Sequence, residues 1–131
     1  MSEFEKGACL VMHNAYITDA ILNITGGTTF ELYFPNTSFS KNFISNSFVG
    51  CCMAARRDFL LPLLPFPKNT PMHDWLIALC AIRQKKNIAL IDTPLMLWRR
   101  HGGNVTGKKI PLGQKIRWRI DILKGLIRCL S

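Results

Sequence analysis

Acidic residues are scarce in this chain: 8 Asp plus Glu stand against 17 Lys plus Arg, a formal charge of +9 over 131 residues. Such an imbalance favours anionic partners, whether nucleic acid, phospholipid head groups or nucleotide diphosphates, without choosing among them. Long apolar runs are missing as well. None approaches the roughly 20 residues that span a bilayer, and the polar start Met1-Ser2-Glu3-Phe4-Glu5-Lys6 does not read as a secretory leader. A cytoplasmic protein is therefore expected, with contact at the inner membrane face left open.

The five cysteines, Cys9, Cys51, Cys52, Cys80 and Cys129, form no C-x-x-C pair, so a zinc site of the usual spacing is excluded. Adjacent Cys51 and Cys52 rarely form an unstrained disulfide, and free thiols in a reducing compartment are expected. Internal repeats and low-complexity tracts are also absent. With 48% hydrophobic residues, the length suits one compact unit.

What is present is a pattern of short elements. The apolar run 8–12 followed by His13-Asn14 predicts a buried strand that opens onto a cleft, with His13 a hydrogen-bonded strand-end residue. Thr25-Gly26-Gly27-Thr28 reads as a turn, 29–34 as a strand or an irregular excursion, and 36–47 shows no clean period. Residues 48–53 read as a small-residue strand running into a short helix at 55–60, and Gly50 could let a ligand come close. Four prolines make 61–71 an extended loop pinned by Leu63, Leu64 and Phe66.

The stretch 74–86 reads as a helix apolar on nearly every face, hence buried between layers, with Arg83-Gln84-Lys85-Lys86 at its negative pole. Two strands, 88–91 and 95–100, follow, broken at Asp92-Thr93-Pro94. The end, 108–131, reads as a basic amphipathic helix with Leu112, Ile116, Ile120, Leu123, Ile127 and Leu130 on one stripe. That stripe fits packing on the domain or self-association better than contact with anionic lipid.

Chemistry concentrates at element ends. Met72-His73-Asp74-Trp75 puts a carboxylate at a helix start, where Asp74 is either an ionised, oriented general base or an ordinary N-cap. Trp75 offers an apolar face for a sugar ring or belongs to the core. The turn Arg99-Arg100-His101-Gly102-Gly103-Asn104 is either an anion-binding loop or a solvated basic turn.

The order Asn46-Ser47-Phe48-Val49-Gly50-Cys51-Cys52-Met53-Ala54, then Leu64-Pro65-Phe66-Pro67, then His73-Asp74-Trp75, then 95–101 with Asn104 and Gly107, resembles the C-terminal half of bacterial family 2 glycosyltransferases of the GT-A fold. The likeness is greatest to rhamnosyltransferase-like members, and Ala8-Cys9-Leu10-Val11-Met12-His13-Asn14-Ala15 is similar to the strand that follows their metal motif. The resemblance implies an α/β fold: a partial GT-A-like mixed sheet over 1–107 with packed helices, then a C-terminal basic amphipathic helix over 108–131. It implies sugar transfer from a nucleotide-sugar donor to a glycan or lipid-linked acceptor in cell-surface polysaccharide synthesis, with a divalent metal, Mg or Mn. By position, Asp74 would be the general base, His73, Trp75 and Gly50 would border the acceptor, and Arg99, Arg100, His101 and Asn104 would face the diphosphate, His101 also reaching the metal. The Asp-x-Asp motif that closes the family's nucleotide-binding half occurs nowhere in this chain, and Asn14 stands where many relatives are acidic. The chain is thus expected to be an acceptor-side half, inactive alone, that associates with a donor-side half or a second copy. The rivals are a non-catalytic interaction domain and a basic nucleic-acid-binding module; no helix-turn-helix and no interleaving of aromatic with basic residues supports the latter.

Overall fold

A computed structural model describes residues 2–100 and 109–130. The fold is α/β, a four-stranded mixed sheet with helices packed on it. β1 (Leu10–Thr18) is its axis. β4 (Ile88–Arg99) runs parallel to β1 along its whole length, from Leu10↔Ile88 to Thr18↔Arg99. β3 (Met53–Ala55) and β2 (Ile24–Thr28) share β1's remaining hydrogen-bonding groups. β3 pairs antiparallel with Leu10–Met12, and β2 antiparallel near Tyr16 and Thr18.

The predicted break at Asp92-Thr93-Pro94 is instead a bulge inside one strand. β4 has 12 residues against 9 in β1, and the surplus is taken up opposite Asn14. Asn14, 3% exposed, holds the irregularity together. Its amide Nδ2 donates to the Asp92 carbonyl at 3.0 Å, while Oδ1 accepts from the Ala15 N–H, the Phe30 N–H and the Thr29 hydroxyl at 2.9–3.0 Å. Backbone groups that ladder pairing leaves open are thereby satisfied by one side chain. His13 lies inside β1 rather than at its end, with its Nδ1 2.7 Å from the Asn14 carbonyl.

The stretch 29–47 holds two short helices, and helix makes up about 42% of the described residues. α1 (Thr29–Tyr33) stands where a strand or an irregular excursion was expected at 29–34. Its start is a capping box, in which Thr28 Oγ1 accepts from the Glu31 N–H and Glu31 Oε2 accepts from the Thr28 N–H. α2 (Phe39–Ile44) is capped by Ser38 and tied down by fully buried Asn42, which donates to the Asn36 and Ser38 carbonyls and accepts from Ser47. Polar side chains, not an apolar period, organise this stretch.

Of the strand expected at 48–53 only its end is strand, because Gly50–Cys52 forms a 3-10 turn against the start of the next long helix. α3 (Arg57–Leu60) follows as expected, and the loop after it begins with a 3-10 turn, Leu61–Leu63, before the chain runs on without regular structure to Pro71. Leu63 and Phe66 pin it, whereas Leu64 is exposed.

α4 (His73–Arg83) buries Trp75, Leu76, Ala78, Leu79, Cys80 and Ala81 in one cluster with Leu10, Met12 and Ala15 of β1. It stops at Arg83, earlier than the expected 86, where the chain turns through Lys85 at a φ of 53°.

α5 (Leu112–Leu130) packs on α4, but not by the stripe the sequence suggested. Ile122, Gly125 and Leu126 are buried, with Trp118 and Cys129 half-buried beside them, while Leu112, Ile116, Ile120, Leu123 and Ile127 are exposed. Gly125 allows the close approach on this face: a Cβ there would stand 3.1 Å from Leu76 Cδ1, tighter than ordinary contact. No described helix is long and apolar enough to cross a membrane.

Candidate active site

Two distant segments meet at the start of α4. Asp74 sits in the first turn, one residue after His73; the N-cap is Met72, which makes no side-chain capping bond. Asp74 is therefore not the cap, and its carboxylate does other work. Oδ2 accepts the Gly50 N–H at 3.0 Å, and Oδ1 accepts the Trp75 N–H at 2.8 Å. Gly50 is required at this approach, since a Cβ would lie 3.2 Å from Asp74 Cβ and 3.3 Å from Oδ2.

The carboxylate borders a cavity of about 260 Å³. Leu10, Leu60 and Ile77 supply apolar wall, and Gly50, His73 and Asp74 supply its polar side. Burial pushes the Asp74 carboxyl above its ordinary value, and the Trp75 and Gly50 N–H groups and His73 oppose the rise. Desolvation raises the proton affinity of the carboxylate, and the two N–H bonds leave a second lone pair on each oxygen. A half-buried carboxylate so held can accept a proton from a hydroxyl brought into the cavity. His73 is exposed, with its ring stacked on Phe66 at a centroid distance of 4.7 Å, a flat surface at the cavity mouth.

Trp75 does not serve as a platform. It is 4% exposed, and its indole N–H donates to the Asn42 carbonyl at 2.7 Å, so the ring belongs to the core and locks α4 to α2. Of the acceptor-side trio His73, Trp75 and Gly50 expected from sequence, only His73 and Gly50 line the cavity, beside Asp74.

Arg99 and Arg100 close β4 and are exposed, away from the cavity wall. The Arg100 N–H extends the ladder by donating to the Thr18 carbonyl, and its guanidinium stands 6.0 Å from the centroid of Trp98. Trp98 in turn lies 6.0 Å from the ring of Tyr33, at the end of α1. Burial raises the pKa of the Tyr33 phenol, the charge of Arg100 opposes that rise, and Cys51 and Asp74 add to it. The phenol therefore stands within electrostatic reach of both the cationic strand end and the carboxylate. Tyr33 was not among the residues that composition or motif singled out. The Thr28-x-x-Glu31 capping pattern was the available signal, since it announces the helix that delivers Tyr33 here. His101 and Asn104 lie outside the described residues.

Thiol chemistry is not favoured at this site. All five cysteines are free, but burial with a neighbouring thiol pushes Cys52 up to about 12, and likewise Cys80. Such groups stay protonated at neutral pH.

A divalent metal, the cofactor the resemblance implies, finds little to hold it in the described chain. Among the described residues no three His, Cys, Asp or Glu side chains converge. Asn14 has both ends of its amide engaged, and Asp92 accepts from it.

No family model, no curated protein and no solved structure matches this chain.

Proposed function

We propose that this chain is the acceptor-side half of a family 2 glycosyltransferase of the GT-A type, with Asp74 the general base that takes the proton from an acceptor sugar hydroxyl. The observation that carries this reading is the contact between Gly50 and Asp74, 24 residues apart, at the wall of the cavity. These residues come from two separate motifs of the resemblance, and their meeting supplies what inverting transfer requires: an oriented, partly desolvated carboxylate beside room for a sugar. His73 on Phe66 offers the ring face on which an acceptor sugar would rest. Arg100 would lie on the side where a departing diphosphate gathers charge. Nucleotide binding and any metal would come from a donor-side half bearing the Asp-x-Asp motif.

The test joins binding to turnover. Amide spectra of the chain titrated with rhamnose- or hexose-terminated oligosaccharides should shift Gly50 and His73 first. With a donor-side half and a nucleoside-diphosphate sugar supplied, Asp74→Asn should lower transfer by about 10²- to 10⁴-fold, the range of a lost general base. Saccharide shifts that avoid the cavity, or transfer indifferent to Asp74→Asn, would sink the reading. Salt-sensitive polynucleotide binding without any saccharide effect would replace it with the nucleic-acid module.

A further inference from the structure

The outward face of α5 is an apolar surface that the described fold leaves uncovered. Leu112, Ile116, Ile120, Leu123 and Ile127 are 49% to 73% exposed. At 3.6 residues per turn they fall within roughly 80° of arc, and the buried face of Ile122, Gly125 and Leu126 points roughly 130° away. This helix therefore carries two apolar faces. One closes on α4, and the other has no partner in the described fold.

We propose that this ridge docks the protein on an anionic membrane surface, with α5 lying in the plane of the interface. Charge selects the occupant. Arg117 and Lys124 follow the ridge on the border away from the domain, and Arg119 stands on the domain-side border. In all, α5 holds five cations and a single acid, Asp121. Apolar side chains flanked by Lys and Arg match the acyl boundary and the head groups of anionic lipid together. A second copy of the helix suits the ridge less well, because each cationic border would meet its like, in a chain already at +9.

The geometry permits shallow insertion without disturbing the fold. Ile122, Gly125 and Leu126 stay on α4 while the ridge meets lipid, and the cavity at Asp74 plays no part. The proposal is therefore independent of the transferase reading.

Flotation of the full chain with lipid vesicles tests it. The chain should float with phosphatidylcholine vesicles carrying about one third phosphatidylglycerol and stay behind with phosphatidylcholine alone. Ile120→Gln with Leu123→Gln should weaken binding at least about tenfold, since both residues are exposed and their loss leaves the fold intact. Arg117→Gln with Lys124→Gln should weaken it similarly and flatten its salt dependence. Failure of the wild-type chain to float overturns the proposal, as does a ridge variant that floats like wild type. A dimer in sedimentation velocity that the ridge variant abolishes, with no flotation, would assign the face to a second copy instead.

Discussion

α4 and α5 touch along one face, yet Trp75, Leu76, Ala78, Leu79, Cys80 and Ala81 of α4 are buried while five large apolar side chains of α5 stand in the open. Both helices are rich in apolar residues, and what separates them is position. α4 shares its cluster with β1, α2 and α5, so almost any direction it faces is occupied. α5 is outermost and meets a neighbour on one side only. Apolar content thus predicts burial when the fold supplies a layer on each side, and otherwise leaves a surface in need of a partner.

The contrast can be broken by substitution, most forcefully in α4. Leu79→Ala should cost about 3 kcal/mol in urea denaturation, because a fully buried leucine leaves a cavity that its neighbours only partly fill. A cost under about 1 kcal/mol would mean that α4 is not the centre of the fold. At the seam, Gly125→Val should cost about 2 kcal/mol, since the added carbons meet Leu76 and the helix must shift. Loss of α5 protection from amide exchange, with α4 unaffected, would localise that damage.

At the start of α4 the expected effect is a slope. Burial holds the Asp74 carboxyl above its ordinary 3.8, so the folded chain keeps this proton to higher pH than the unfolded chain does. Stability from this group is therefore greatest below 3.8, falls as pH rises through the raised value, and stays lower above it. Asp74→Asn should remove that fall. An unchanged stability profile between acid and neutral pH would show the carboxylate to be better solvated than its cavity suggests. The smallest effect belongs to the ridge: Ile120→Ala should change stability by no more than about 0.5 kcal/mol, and a larger loss would show that the outward face is covered in solution.

Several features were legible because they depend on neighbours in the chain. The buried helix and the short helix at Arg57 follow from local pattern and turn chemistry. The helices at Thr29 and Phe39 were hidden, since capping by Thr28 and Ser38 and the Asn42 network stabilise them rather than an apolar period. The bulge in β4 was hidden for a related reason: Pro94 reads as a break until Asn14, 78 residues from Asp92, supplies the missing hydrogen bond.

By itself the sequence determined the charge, the α/β class, the two motifs that carry Gly50 and Asp74, and one apolar stripe on the last helix, because all of these are set by residue type and local spacing. Only the tertiary structure decided that Gly50 donates to Asp74, that Trp75 turns inward to Asn42, and that α5 closes on α4 through Gly125. Each of those outcomes is a contest between surfaces distant in the chain, settled by which pair can approach closely enough to exclude water.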